Sequence, residues 1–211
     1  MLILCGNHQS LTFGYWAGKY PGRIGWLLGP INSKLGVPPW MPYALDNDAY
    51  ICHCHGRRWD EHKWLSFLDR QRLNPCRPRW ALVPDVVCNR EKTLERWDKY
   101  HGEVIRRGMR PAFAVQDGMT PEDVPAKAEV VFIGGSTSWK MRSIPVYTQK
   151  FSCVHVGRIN TPKNLASCQA AGVESVDGSG WMRTGVDGTR AKQLEAWLDG
   201  KYLTDQTEMS L

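Results

Sequence analysis

The chain has 211 residues, 42% hydrophobic and 23% charged, which is ordinary for a globular protein and enough for one sizeable core. No apolar run approaches the roughly 18 residues of a membrane helix. The start, MLILCGNHQS, lacks the basic and long apolar regions of a signal peptide, so the sequence reads as that of a cytoplasmic protein. Lys and Arg outnumber Asp and Glu by 27 to 21, and the net charge of +6 points to a polyanionic partner.

Seven cysteines form no regular spacing and no even set, so Cys5, Cys76, Cys88, Cys153 and Cys168 read as reduced, mostly buried side chains. The first 42 residues are rich in Gly and Pro and suggest a loop-rich start around two short apolar runs, 2–5 and 26–28. Six more runs follow at 43–45, 80–83, 112–115, 130–133, 154–156 and 173–176. Each is too short for a helix and too continuous for a half-exposed strand, which fits buried parallel strands.

Helical patterns fill most of the later gaps. WDEHKWLSFLDRQ places Trp59, Trp64, Phe67 and Leu68 near one face. NREKTLERWDKYHGEVIRRG has Asn89 as cap, an apolar stripe of Leu94, Trp97, Val104 and Ile105, and Gly108 as stop. TPKNLASCQAAG opens on Thr161 and Pro162 and closes on Gly172, and GTRAKQLEAWLDG is the last helix. Eight strand candidates alternating with helices predict one α/β domain over 1–211, a compact and partly irregular (β/α)8 TIM-type barrel, with 201–211 as a frayed tail.

In such a barrel, chemistry sits at the carboxyl ends of the strands. Those ends carry Asp46, Asp85, Gln116, Gly134 with Gly135, Gly157 with Arg158, and Asp177 in VESVDGSGW. A lone Asp in a turn is unremarkable. Six such ends in one register suggest a site. Neither a phosphate-cradling GxxxxGK[ST] nor a GxGxxG occurs. Two carboxylates can share a glycosidic substitution, one attacking and one moving the proton. A third carboxylate with an amide and backbone N–H groups can read the edge of a purine-like base.

This order of motifs resembles the tRNA-guanine transglycosylase superfamily, and most closely the phage and bacterial DNA 7-deazaguanine transglycosylases of the DpdA type. The resemblance covers roughly residues 43–181 and rests on LDNDAY, VPDVV, VQDG, IGGST and HVGRINTPKNLASCQAAGVESVDGSGW. It implies Asp177 as nucleophile, Asp46 as general acid/base, and Asp85, Gln116, Gly134 and Gly135 as base-binding residues. Asp48 stands where the family usually has Gly, and no Cys or His follows Asp177 where the tRNA enzymes hold zinc. The missing zinc ligands favour DNA over tRNA. The implied function is a pentosyltransferase that replaces guanine in flipped-out DNA with a 7-deazaguanine such as preQ0, without a cofactor. The host cytoplasm is the implied location if a phage encodes it.

Other motifs carry weaker readings. ICHCHGRRWDEHKW offers Cys52, His53, Cys54, His55 and His62, but the spacings are too tight for an ordinary zinc site, so no metal is expected. Arg57, Arg58, Lys63, Arg158, Lys163 and Arg183 are candidate contacts to a nucleic-acid backbone. His155 reads as a barrel-wall residue. The alternatives are tRNA-guanine transglycosylation, a non-catalytic nucleic-acid or base-binding barrel, or a metabolic barrel holding a small phosphorylated ligand at GGST.

Overall fold

The computed structural model describes residues 1–6, 11–31, 36–182, 185 and 187–201, with the backbone alone at 11, 12 and 182. In chain order the elements are β1 (Leu2–Gly6), α1 (Leu11–Lys19), β2 (Ile24–Leu28), β3 (Tyr43–Leu45), α2 (Ala49–Cys54), α3 (Glu61–Arg72), β4 (Ala81–Leu82) and α4 (Arg90–Arg106). They continue with β5 (Pro111–Val115), β6 (Val130–Ile133), α5 (Thr137–Lys150), β7 (Val154–Val156), α6 (Pro162–Ala170), β8 (Ser175–Asp177) and α7 (Thr189–Leu198). The strands pair in sequence order and all in parallel, and β8 returns to β1 with Leu4 opposite Asp177, which closes a (β/α)8 barrel.

Strand alternation divides the apolar residues into two sets. One parity faces outward to the helices: Ile3, Cys5, Trp26, Leu45, Phe113, Val131 and Val156 join Trp64, Trp97, Tyr147 and Trp197 in the larger cluster. The other parity fills the lumen with Leu2, Leu4, Ala44, Trp80, Leu82, Ala112, Ala114 and Val130, packed by Leu27, Phe132 and Cys153. Trp80 is the largest of these and makes the barrel a packed core with a floor, not a pore.

The helices start where the capping residues dictate. Asp60 accepts from Lys63 N at 2.9 Å, Asn89 from Lys92 N at 2.9 Å and Thr161 from Asn164 N at 3.3 Å, each satisfying an N–H without an intrahelical partner. Gly108 (φ 69°) and Gly172 (φ 77°) supply the left-handed turns just past α4 and α6. Two expectations change. Within the first 42 residues the two expected runs are β1 and β2, and the helix α1 between them is added to the loop-rich reading. On α4 the stripe is Trp97, Tyr100 and Val104, while Ile105 is 45% exposed. The expected frayed tail falls almost wholly on 202–211, outside the described residues.

Candidate active site

At the carboxyl end of the barrel the inward parity turns from apolar to polar or glycine. Residues 46, 116, 134, 157 and 177, which follow or end β3, β5, β6, β7 and β8, are Asp, Gln, Gly, Gly and Asp. A cavity of about 850 Å³ opens there, lined by Asp46, Asp85, Gln116, Gly134, Gly135, Arg158 and Asp177 among others. The glycines keep it open. A Cβ on Gly157 would stand 3.0 Å from the Phe132 ring and 3.3 Å from Asp177 Oδ1.

Asp46 is partly buried just past β3. Its Oδ1 accepts from Asn47 N at 2.6 Å and Asp48 N at 3.2 Å. Those bonds favour a carboxylate, but burial outweighs them, and repulsion from Asp48, Asp177 and Asp85 adds to it. The Asp46 carboxyl is raised from 3.8 to about 8 and carries its proton at neutral pH. Asp48, in a left-handed conformation (φ 58°), turns its carboxylate away to accept from Ile31 N at 2.7 Å.

Asp85 and Gln116 form a second unit. Asp85 Oδ1 accepts from Asn47 Nδ2 at 3.0 Å and Oδ2 from Gln116 Nε2 at 3.3 Å, while Arg96 donates to the Asp85 carbonyl at 2.6 Å. Burial raises the Asp85 carboxyl as well. Gln116 lines the cavity but is largely committed to the β4–α4 loop. Its Nε2 also reaches Val86 O at 3.0 Å and Thr93 Oγ1 at 3.3 Å, and its Oε1 accepts from Cys88 N.

Asp177 is held from two sides, and its side chain is 14% exposed. Oδ2 accepts from Arg158 N at 3.1 Å and Oδ1 faces His155 Nε2 at 3.0 Å, while His155 Nδ1 lies 2.8 Å from Ser175 Oγ. An acceptor-only carboxylate requires Nε2–H as donor, so in the neutral ring Nδ1 accepts the Ser175 hydroxyl proton. His155 is fully buried, its ring centroid 4.8 Å from those of Trp80 and Phe132. The wall histidine is thus an inward one that orients Asp177. A signal for it was in the sequence: His155 lies two residues before Gly157, as Ser175 lies two before Asp177, which puts both on the lumen face.

The structure therefore brings Asp46, Asp85, Gln116, Gly134, Gly135, Arg158 and Asp177 to one cavity. It does not bring Arg57, Arg58, Lys63 or Lys163 there; all four are exposed, and Arg58 borders a separate cavity near α3 and α4. Arg183 lies outside the described residues. Asn47, Tyr50, Phe132 and Asp117 are further lining residues that the strand-end reading missed. The phosphate cradle considered at GGST is occupied by protein: Asp117 accepts from both Ser136 N and Ser136 Oγ. Cys52, Cys54 and His55 fall on or next to α2 and His62 on α3. Among the described residues no group of three or more His, Cys, Asp or Glu side chains is placed to hold a metal.

Fold and rim define a (β/α)8 barrel with a carboxylate-lined cavity at its carboxyl end. No family model and no curated protein matches the chain. Among solved structures the chain is similar to one described as "Native KDPGal structure", with a TM-score of 0.52 and 16% identity over 96% of this chain and 94% of that one. At that identity the likeness establishes the fold.

The resemblance to the tRNA-guanine transglycosylases, and to the DNA enzymes of the DpdA type, is overturned by these findings. With it fall guanine exchange in DNA or tRNA, pentosyl transfer and a phage DNA-modifying role. The reason is physical. Asp and Gly at strand ends are what a parallel barrel needs to turn its chain and open its rim, so the motif order reported the fold and not the chemistry. No helix among the described residues is long and apolar enough to cross a membrane.

Proposed function

We propose that the rim cavity is the active site of an enzyme that moves protons on a small carbonyl or hydroxyl compound. The observation that carries this is the division between two carboxyls in one cavity. Asp46 is held protonated to about 8, and Asp177 is fixed as an acceptor between the Arg158 N–H and the Ser175–His155 pair. A buried acid raised by its surroundings and a carboxylate fixed by hydrogen-bond donors assign two roles. Asp177 is the base that takes a proton from a carbon or hydroxyl next to a carbonyl. Asp46 donates to the oxygen on which charge develops, a donor already in place before the reaction. An acid and a base lining one cavity suit the proton transfers of a lyase or an isomerase. A cavity of about 850 Å³ fits a metabolite and not a polymer.

Among the described residues lining this cavity there is no lysine. Lys140 is fully buried in α5, donates to Gly157 O behind the wall, and is lowered to about 8, chiefly by burial. The chemistry we assign runs through the carboxyls Asp46 and Asp177, which the cavity brings together.

The test is proton exchange. The protein is incubated in D2O with a panel of small keto and hydroxy acids and sugars, and deuterium uptake is read by mass spectrometry. Uptake into at least one compound, lost in Asp177→Asn, is expected. Uptake that persists in Asp177→Asn would remove Asp177 as the base.

A further inference from the structure

Among the described residues lining the cavity, Arg158 is the one Lys or Arg, and it has an unusual setting. It follows β7 with φ 58°, a left-handed conformation that costs a non-glycine residue roughly 1 kcal/mol or more. That backbone does two things at once. It aims the N–H at Asp177 Oδ2, and it sends the side chain back across the cavity mouth. There the guanidinium lies 4.4 Å from the Tyr50 ring centroid, donates to Tyr50 Oη at 2.7 Å and donates to the Gly135 carbonyl. The start of α2 and the loops after β6 and β7 are joined by this one side chain.

Both of its acceptors are neutral. Although four aspartates line the same cavity, no carboxylate among the described residues lies within ion-pair distance of the Arg158 guanidinium. Of its five N–H donors, two are used by the described residues, and the others are available to a ligand. A planar donor fork without a counter-ion, stacked on an aromatic ring and facing a carboxylate-lined cavity, is a receptor for an oxyanion. It also solves a problem of charge, because an anionic substrate would otherwise be repelled by Asp177 and Asp85.

We infer that Arg158 is the residue that selects the substrate, binding the phosphate or carboxylate group of a small anionic compound and holding its other end over Asp46 and Asp177. This rests on the cavity being the active site, and it adds the substrate class. Tyr50 supports the guanidinium from below, and the Gly135 carbonyl is the neutral partner that the anion replaces.

The experiment measures anion binding without turnover. Inorganic phosphate and malonate are titrated into wild-type protein, Arg158→Gly and Asp177→Asn, with isothermal calorimetry as the readout. Glycine suits φ 58° better than arginine, so Arg158→Gly keeps the fold and the N–H to Asp177 while losing the guanidinium. Millimolar or tighter binding of either probe to the wild type, weakened about ten- to hundred-fold in Arg158→Gly and kept in Asp177→Asn, is expected. The tighter probe tells whether the anionic group is phosphate or carboxylate. No binding of either probe to the wild type, or equal binding in Arg158→Gly, would overturn the inference. Because no catalysis is read, binding that survives alongside a failed deuterium-exchange test would leave this inference standing and remove the acid–base reading instead.

Discussion

Asp46 is stabilised as a neutral acid, so removing its charge should strengthen the protein while disabling it. Asn at position 46 retains an oxygen to accept from Asn47 N and Asp48 N, and it has no charge to bury beside Asp177 and Asp85. Asp46→Asn should therefore melt at a higher temperature than the wild type at pH 8.5, with the difference closing toward pH 5, while deuterium exchange drops by about 10²–10⁴-fold. A melting temperature that falls at every pH would show that the carboxyl is not strained by burial. His155 makes the complementary case. His155→Phe should keep the packing against Trp80 and Phe132 but leave Asp177 Oδ1 and Ser175 Oγ without their partner. Exchange, measured well below the melting temperature, should fall by up to about a hundred-fold, while the unpaired groups lower stability by about 1–3 kcal/mol each, a split that a purely structural histidine would not give. Asp46, Asp85 and Asp177 were legible because carboxylates at strand ends stand out. His155 was legible only through parity, two residues before Gly157, and its partners Ser175 and Asp177 only once β7 is registered against β8.

The strands were the most legible elements. Each of the eight apolar runs became a strand, because a parallel strand buried on both faces needs an unbroken apolar run. Helices with explicit caps, α4 and α6, were equally clear. α5 was not singled out, and Pro145 inside it is the reason: proline removes an N–H and crowds the preceding turn, so the pattern reads as interrupted. Two substitutions test the element boundaries by thermal or urea melts. Asn89→Ala removes the acceptor for Lys92 N at the start of α4 and should cost about 1 kcal/mol. Gly135→Ala should cost more, about 2 kcal/mol or above, since φ is 77° and a Cβ would stand 2.1 Å from Asp117 Oδ1. A cost at Gly135 no larger than that at Asn89 would mean the β6–α5 turn is not built as described.

For the whole molecule, the carboxyls fall into two sets with opposite effects on stability. Asp123 beside Arg90, Asp69 beside Arg107 and Glu103 beside Arg106 and Arg107 are all lowered by those partners. Their contribution is present above the ordinary carboxylate range and is lost as pH falls through their lowered values. Asp46, Asp48 and Asp85 are raised, chiefly by burial, so their protonated forms favour the fold and that contribution is lost as pH rises. Stability should thus peak in mildly acidic solution, around pH 5, and decline toward about 8. Urea midpoints between pH 4 and 9 should trace that curve, and Asp46→Asn should flatten its upper limb. The barrel itself was legible from the alternation of runs and helices. The chemistry was not, because a rim of Asp and Gly is shared by barrels that do unrelated things.

The protonation state of Asp46 is the point on which the acid–base assignment turns. It can be read directly by labelling the aspartates with carbon-13 at the carboxyl and following their shifts by NMR from pH 5 to 10 in the wild type and in Asp46→Asn. One resonance should titrate with a midpoint near 8 and be missing from the variant. If the resonance lost in the variant titrates instead in the ordinary aspartate range, near about 4, Asp46 is ionised at neutral pH and cannot be the proton donor.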